Sequence, residues 1–322
     1  MEFSQVIVTG GAGFLGSSLV DKLIFSDHRV ICIDNLLTGR IANIAHHLDN
    51  PRFRFVKHDI IEPIQIDGNV SAIYNLACPA SPPFYERDPI HTFKTSVFGS
   101  MNMLELAREK QAKILQASTS EVYGDPSVSP QPESYFGNVN TVGPRSCYDE
   151  GKRSAETLFY EYNKQYGVEV KIARIFNTYG PRMRLDDGRV VSNFISQAIT
   201  GVPLTVNGNG LQTRSFCYVD DMVEALTRLM DTGPTQFGPV NVGNPSEFTV
   251  MELAELVLNK TNSSSLLSFL DHPQDDPRRR KPDITRAREV LGWAPQVALG
   301  EGLDRTIPGI AEQLKTAAES EH

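Results

Sequence analysis

Apolar residues in this chain fall into short unbroken runs, separated by stretches in which they recur every three or four positions. Gln5–Thr9 (QVIVT), Arg29–Ile33 (RVICI), Phe53–Val56, Ser71–Leu76 (SAIYNL) and Lys113–Ala117 each read as strands, and their unbroken apolar character predicts burial on both faces. Phe14, Leu15, Leu19, Leu23 and Ile24 recur at helical spacing between the first two. About twenty residues around Thr95–Glu109 and the stretch Tyr148–Tyr166 read as further helices, the latter followed by a strand over Val168–Phe176. Strands alternating with helices predict an α/β fold built on a doubly wound parallel sheet. After Asn177 the elements shorten and Gly and Pro become denser, as in Tyr179-Gly180-Pro181 and Asn207-Gly208-Asn209-Gly210. The change predicts a smaller C-terminal α/β domain over 181–217 and 244–312. Residues 1–180 form the first domain, rejoined by about 218–243, and 313–322 form a polar tail that frays from about Leu314. There is no internal repeat and no low-complexity tract.

Composition narrows the class. The 322 residues are 40% hydrophobic and 22% charged, which fits a globular chain and excludes a disordered one. A formal charge of −8 gives no general pull on nucleic acid or an anionic membrane, so neither is an expected partner. No apolar run reaches the roughly 18 residues that span a bilayer, and Met1 is followed almost at once by a strand, which leaves no room for a leader. Cys32, Cys78, Cys147 and Cys217 show no C-x-x-C spacing and read as reduced thiols, which points to a cytoplasmic setting. The seven histidines show no metal spacing; His46-His47 reads as a solvated pair, and no metal is expected.

The first strand runs into Gly10-x-x-Gly13-x-x-Gly16, which opens the first helix. The first glycine permits a tight turn, the second lets a pyrophosphate approach the backbone, and the third lets helix and strand pack closely. The helix start then offers free N–H groups to phosphate. The second strand ends at Asp34, eighteen positions beyond Gly16. A carboxylate there accepts from ribose hydroxyls and repels a 2′-phosphate, so the pattern predicts a Rossmann sheet binding NAD rather than NADP. Asp59-Ile60 and Leu76-Ala77, at the ends of the third and fourth strands, are placed to complete this site.

Tyr148-x-x-x-Lys152 sets a phenol and an ammonium on one helix face. A free phenol, with pKa of about 10, is a poor base at neutral pH. A neighbouring Lys cation and a positive nicotinamide favour the phenolate, which makes Tyr148 a candidate base for a sugar hydroxyl. Ser118-Thr119-Ser120-Glu121 follows the fifth strand, with Thr119 the best placed hydroxyl to hold the reacting oxygen. Glu121 stands among small and apolar neighbours, either as a carboxyl raised by burial or as a structural carboxylate satisfied by nearby N–H groups.

This Ser/Thr, Tyr, Lys set resembles the short-chain dehydrogenase/reductase group, and longer strings resemble its extended, nucleotide-sugar branch. They are Ala77–Tyr85 (ACPASPPFY), Ser118–Asp125 (STSEVYGD), Gly143–Arg153 (GPRSCYDEGKR), Arg174–Arg182 (RIFNTYGPR), Asp187–Phe194, Gln212–Phe216 and Arg280-Lys281-Pro282-Asp283. Together, from about Val6 to Leu303, they are similar to the UDP-glucuronate decarboxylases. The resemblance implies NAD-dependent conversion of UDP-glucuronate to UDP-xylose through a 4-keto sugar, by a carboxy-lyase that keeps NAD tightly bound and recycles it. Tyr148, Lys152 and Thr119 would oxidise C4. Glu121 or Arg280 would reprotonate C5 after CO₂ leaves. Ser120 stands where the related 4,6-dehydratases carry an Asp, and a hydroxyl is a poor acid for expelling hydroxide. Phe14, Leu15, Asn35 and Thr95 join the cofactor site by the same resemblance. The loop with Pro79, Ser81 and Tyr85 would hold the sugar carboxylate, Arg214, Arg280 and Asn177 the diphosphate, and Val190-Val191 the uracil. In the run Arg278-Arg279-Arg280-Lys281 only Arg280 is assigned a role, the rest reading as a solvated face. Asn207 departs from the aromatic residue expected there. The alternatives are a 4-epimerase or an oxidative decarboxylase that releases the 4-keto-pentose. A homodimer formed by the helices around Thr95 and Tyr148 is implied as well.

Overall fold

A computed structural model describes residues 5–271 and 279–320 of the chain. Its centre is a parallel sheet whose first six strands are β1 (Gln5–Thr9), β2 (Arg29–Asp34), β3 (Phe53–Lys57), β4 (Ala72–Asn75), β5 (Lys113–Thr119) and β6 (Val170–Ile175). They lie in the order β3-β2-β1-β4-β5-β6, and a seventh strand, Val240–Val242, pairs in parallel with β6 at the far edge. This is a doubly wound sheet, with its order reversing between β1 and β4.

The apolar runs explain the layers. Successive residues of β1 point to opposite faces. Val6 and Val8 pack in one buried cluster with Leu19 and Leu23 of helix α1 (Phe14–Phe25) and with Leu226 and Leu229 of the helix Val219–Met230. Ile7 packs in the other, with Ile73, Ile114, Met103, Leu104 and Phe159. Helices α2 (Pro82–Tyr85) and α3 (Pro89–Lys94) follow β4, and on that second face lie α4 (Ser100–Lys110) and α5 (Ser146–Tyr166), with α3 packed on α5. Helices α3 and α4 are joined without a break by a π turn, Thr95–Gly99, so the long helix expected around Thr95 runs over 89–110 with one wide turn inside it.

Past β6 the elements are short. Thr178–Tyr179 and Cys217–Tyr218 form one small parallel pair, and Leu204–Asn207 pairs with Leu267–Leu270. In a third sheet, Thr213–Ser215 sits between Glu247–Thr249 and Arg279–Arg280. The helix Leu299–Ser320 corrects the expectation of fraying from Leu314: it stays helical through Ser320. Polarity there marks a solvated helix side, since Ala317 and Ala318 favour helix and no Gly or Pro follows Gly309 before the end. Gln313 donates to the carbonyls of Pro181 and Met183, which fastens the helix to the loop after Thr178–Tyr179.

Candidate active site

The C-terminal ends of the strands open onto one cavity of about 670 Å³. Its first part is built by backbone. Gly10 leaves β1 at φ +67°, and a Cβ there would stand 2.9 Å from the Ala77 backbone; a Cβ at Gly16 would collide with the Gly10 carbonyl. Gly13 caps α1 with no side-chain acceptor, so the helix start faces the cavity with its N–H groups. Asp34, at the end of β2, is buried and accepts from Ala12 N (3.0 Å) and Leu36 N (2.8 Å). Burial raises its pKa, against the pull of those two bonds. Gly39, which the sequence reading missed, lies over this carboxylate: a Cβ there would stand 2.7 Å from either oxygen.

Asp59 accepts from Asn35 Nδ2 (2.8 Å) and Ile61 N, and lies 2.7 Å from His91 Nε2. Burial alone would raise it, but these partners hold it below the usual carboxylate value. The amides of Leu76 and Ala77 both donate to Thr9 Oγ1 at 3.1 Å, which pins the loop after β4. Phe14, Leu15, Ile60 and Thr95, the last at the start of the π turn, also line the cavity. A glycine cradle, a helix start and a carboxylate at the end of the second strand fit the adenosine and pyrophosphate of a dinucleotide.

Strand β5 delivers the reactive groups. Thr119 ends it beside the Tyr148 phenol, and its hydroxyl accepts from Glu121 N (3.2 Å). Lys152, one turn along α5, donates to the Ala117 carbonyl (2.9 Å) and lies 5.7 Å from the Tyr148 ring centre. Here the structure departs from expectation. The phenol is raised, with burial the largest cause and the neighbouring Cys78 and Glu121 acting in the same direction; Thr119 and Arg189 oppose them. Lys152 itself is lowered by burial. Its ammonium is bonded to a backbone carbonyl, so the phenolate depends on further positive charge from whatever fills the cavity.

Glu121 and Ser120 occupy a short 3₁₀ turn, Ser120–Tyr123, and both are buried against the cavity. Arg280 Nη1 lies 3.4 Å from one Glu121 oxygen and Arg145 Nη1 lies 3.6 Å from the other. Arg145 was missed in the sequence, although it stands in the Gly143–Arg153 string; only the fold folds it back toward Glu121. Arg280 pairs in parallel register with Arg214, so two guanidinium residues sit side by side on neighbouring strands of the cavity wall. Of the basic run, Arg278 lies outside the described residues.

Pro79 and Ser81 line the cavity, and the loop that carries them is braced: Arg189 donates to the Ala80 carbonyl, and a Cβ at Gly188 would press on Pro83. Tyr85 does not line it. Its side chain is fully buried behind the site, with its ring stacked on Tyr148 at 5.1 Å and 7°. The short helix Pro82–Tyr85 turns it inward, so its side chain lies behind the cavity in which a substrate contact is expected of it. Asn177, Val190, Val191 and Arg214 all reach the cavity, and so does Asn207. His46 and His47 are not simply solvated, since each Nε2 lies 2.8 Å from Asp21 Oδ1 while Arg182 holds the other carboxylate oxygen at 2.7 Å.

Residues 6–243 match the model of the NAD dependent epimerase/dehydratase family. The chain is 58% identical over 300 residues to UDP-glucuronic acid decarboxylase 5 of Arabidopsis thaliana, covering 93% of this chain and 87% of that one. It is 52% identical over 318 residues to UDP-glucuronic acid decarboxylase 1 of Xenopus tropicalis, covering 99% and 75%. Among solved structures, the UDP-glucuronic acid 4-epimerase of Bacillus cereus in complex with UDP-glucuronic acid and NAD superimposes with a TM-score of 0.85 at 27% identity, over 96% of this chain and 99% of that one. With the glycine cradle, the Tyr148–Lys152 pair and these likenesses in view, the chain belongs to the NAD dependent epimerase/dehydratase family, within its UDP-glucuronic acid decarboxylase group.

Proposed function

We propose that this protein is a carboxy-lyase that converts UDP-glucuronate to UDP-xylose, keeping NAD bound through the cycle. The observation that carries the reading is one cavity holding Thr119, Tyr148 and Lys152 together with Glu121 between two arginines. Bound NAD supplies a hydride acceptor at the sugar's C4 and the donor that later restores it. The glycine turn, Asp34, Asn35 and Asp59 would hold it. Tyr148 takes the proton of the C4 hydroxyl, and Thr119 holds the same oxygen. The C5 carboxylate then stands β to a ketone, so the electrons of its C–C bond can pass into the carbonyl as CO₂ leaves. Tyr148 and Thr119 donate to the oxyanion that develops. Glu121 and Arg280 face C5 for reprotonation. Pro79 and Ser81 border the carboxylate, Arg214 and Asn177 the diphosphate, and Val190-Val191 the uracil.

Incubating the protein with UDP-glucuronate and following CO₂ and the sugar by NMR tests this. UDP-xylose without net NADH is the expected result. UDP-galacturonate would make the protein a 4-epimerase, and a 4-keto-pentose with net NADH an oxidative decarboxylase.

The same reading extends to assembly. Ile90, Phe93, Phe98 and Met101 are exposed along 89–110, and the five-residue step from Phe93 to Phe98 crosses the π turn, whose bonds join i to i+5. The four therefore share one face, which supports a homodimer through the helices of 89–110 and α5. The four cysteines are all free thiols, which supports a cytoplasmic setting. Among the described residues no helix is long and apolar enough to cross a membrane.

A further inference from the structure

Behind Glu121 lies a second carboxyl that the scheme above does not use. Asp149 follows Tyr148 on α5, is 7% exposed, and its carboxyl neighbours that of Glu121. Two neighbouring buried carboxyls can bond to each other only by sharing a proton, because an ionised carboxylate is acceptor-only. Asp149 Oδ1 is buried with no hydrogen-bond partner among the described residues. So is the hydroxyl of Tyr85, which faces the same charges. The groups around Asp149 are Glu121 from the 3₁₀ turn, Arg280 from the strand Arg279–Arg280, Tyr85 from α2, and Arg145 and Cys147 beside it in sequence.

We infer that Asp149 and Glu121 hold one proton between them, and that this proton is delivered through Glu121 to C5 of the sugar as CO₂ leaves. Asp149 acts through Glu121 and is a positioning residue. The inference rests on the decarboxylase reading and names the source of its proton.

Charge supports it. With one proton on the pair, two guanidinium groups face a single negative charge, leaving one positive charge to meet the uronate. With both carboxyls ionised that excess is gone. Burial first and then the Glu121 carboxyl raise Asp149 far above an ordinary carboxylate, against Arg280 and Arg145. The step balances. The C5–carboxyl bond breaks, its electron pair enters the C4 carbonyl as an enolate, and CO₂ leaves neutral. The enolate returns to the ketone as C5 takes the shared proton. The pair is left doubly ionised between Arg145 and Arg280 and reloads from water, matching the one proton that decarboxylation of a carboxylate consumes.

The test combines turnover with a measurement that needs no turnover. Infrared titration of the wild-type protein should show a neutral carboxylic-acid carbonyl band at pH 7 that vanishes in alkali and is missing from Asp149→Asn. With UDP-glucuronate, Asp149→Asn should lower kcat about 100-fold with KM little changed. It should also move the alkaline limb of the kcat profile to lower pH, because Glu121 alone sits between two cations. Asp149→Glu should recover much of the rate. A wild-type kcat and pH profile in Asp149→Asn would overturn the inference, and so would absence of the band at pH 7. If Asp149→Asn does not fold, the wild-type band decides. Wild-type protein that shows the band but evolves no CO₂ would instead refute the decarboxylase reading.

Discussion

At the scale of single residues, the site is governed by how far burial moves protons. Tyr148 is held protonated by its surroundings, so the base form must be won from pH and from positive charge brought into the cavity. Turnover should therefore climb with pH on the alkaline side of neutrality, the acid limb of the kcat/KM profile being set by a raised phenol, and a profile flat there would remove Tyr148 as the base. Tyr148→Phe keeps the ring that stacks on Tyr85 and removes the proton carrier. It should fold and retain NAD while losing about 10²–10⁴ in kcat, measured by CO₂ release. Gly39→Ala should act differently, by pressing a methyl against the Asp34 carboxylate. NAD content after purification should drop while the melting temperature stays near wild type. The glycine triplet, Asp34, Tyr148 and Lys152 were legible because their spacing is itself the chemistry. Arg145 was not, since its meeting with Glu121 is a long-range product of folding. Nor was the inward turn of Tyr85, because a loop sequence does not say which side of its own backbone faces a cavity.

At the scale of elements, buried continuous strands were readable to within a residue or two, because burial on both faces demands unbroken apolar runs. The π turn was not, since one wide turn leaves too little trace in a periodicity of 3.6. Some elements are secured by a single side chain. Asp221, buried on the helix Val219–Met230, accepts from the amides of Gln296 (3.0 Å) and Val297 (2.9 Å), and its own carbonyl accepts from Trp293 Nε1 (3.0 Å). Asp221→Ala strands the two amides and should cost about 2–4 kcal/mol, at the upper end expected for unsatisfied buried donors. Denaturant unfolding measures it, and a loss under about 0.5 kcal/mol, the size of an ordinary surface change, would mean the segment relaxes to find other partners.

At the scale of the molecule, the exposed apolar stripe Ile90, Phe93, Phe98 and Met101 is where the proposed homodimer is tested. Phe98→Asp should shift the protein from dimer to monomer in light scattering, and an unchanged mass would place the interface elsewhere. The sequence could not single out this stripe, because core and contact faces carry the same kinds of residue.

The register of Arg214 against Arg280 has a consequence for what the protein accepts. Under the proposed function these two cations on adjoining strands would act as a gauge: Arg214 toward the pyrophosphate linker, and Arg280, beside Glu121, toward the acid end of the sugar. A ligand carrying only one of these anions would satisfy half of the gauge, leaving Arg280 with Glu121 alone as its anionic partner. Discrimination against neutral hexose nucleotides would then follow from the spacing of two strands, with no steric gate required.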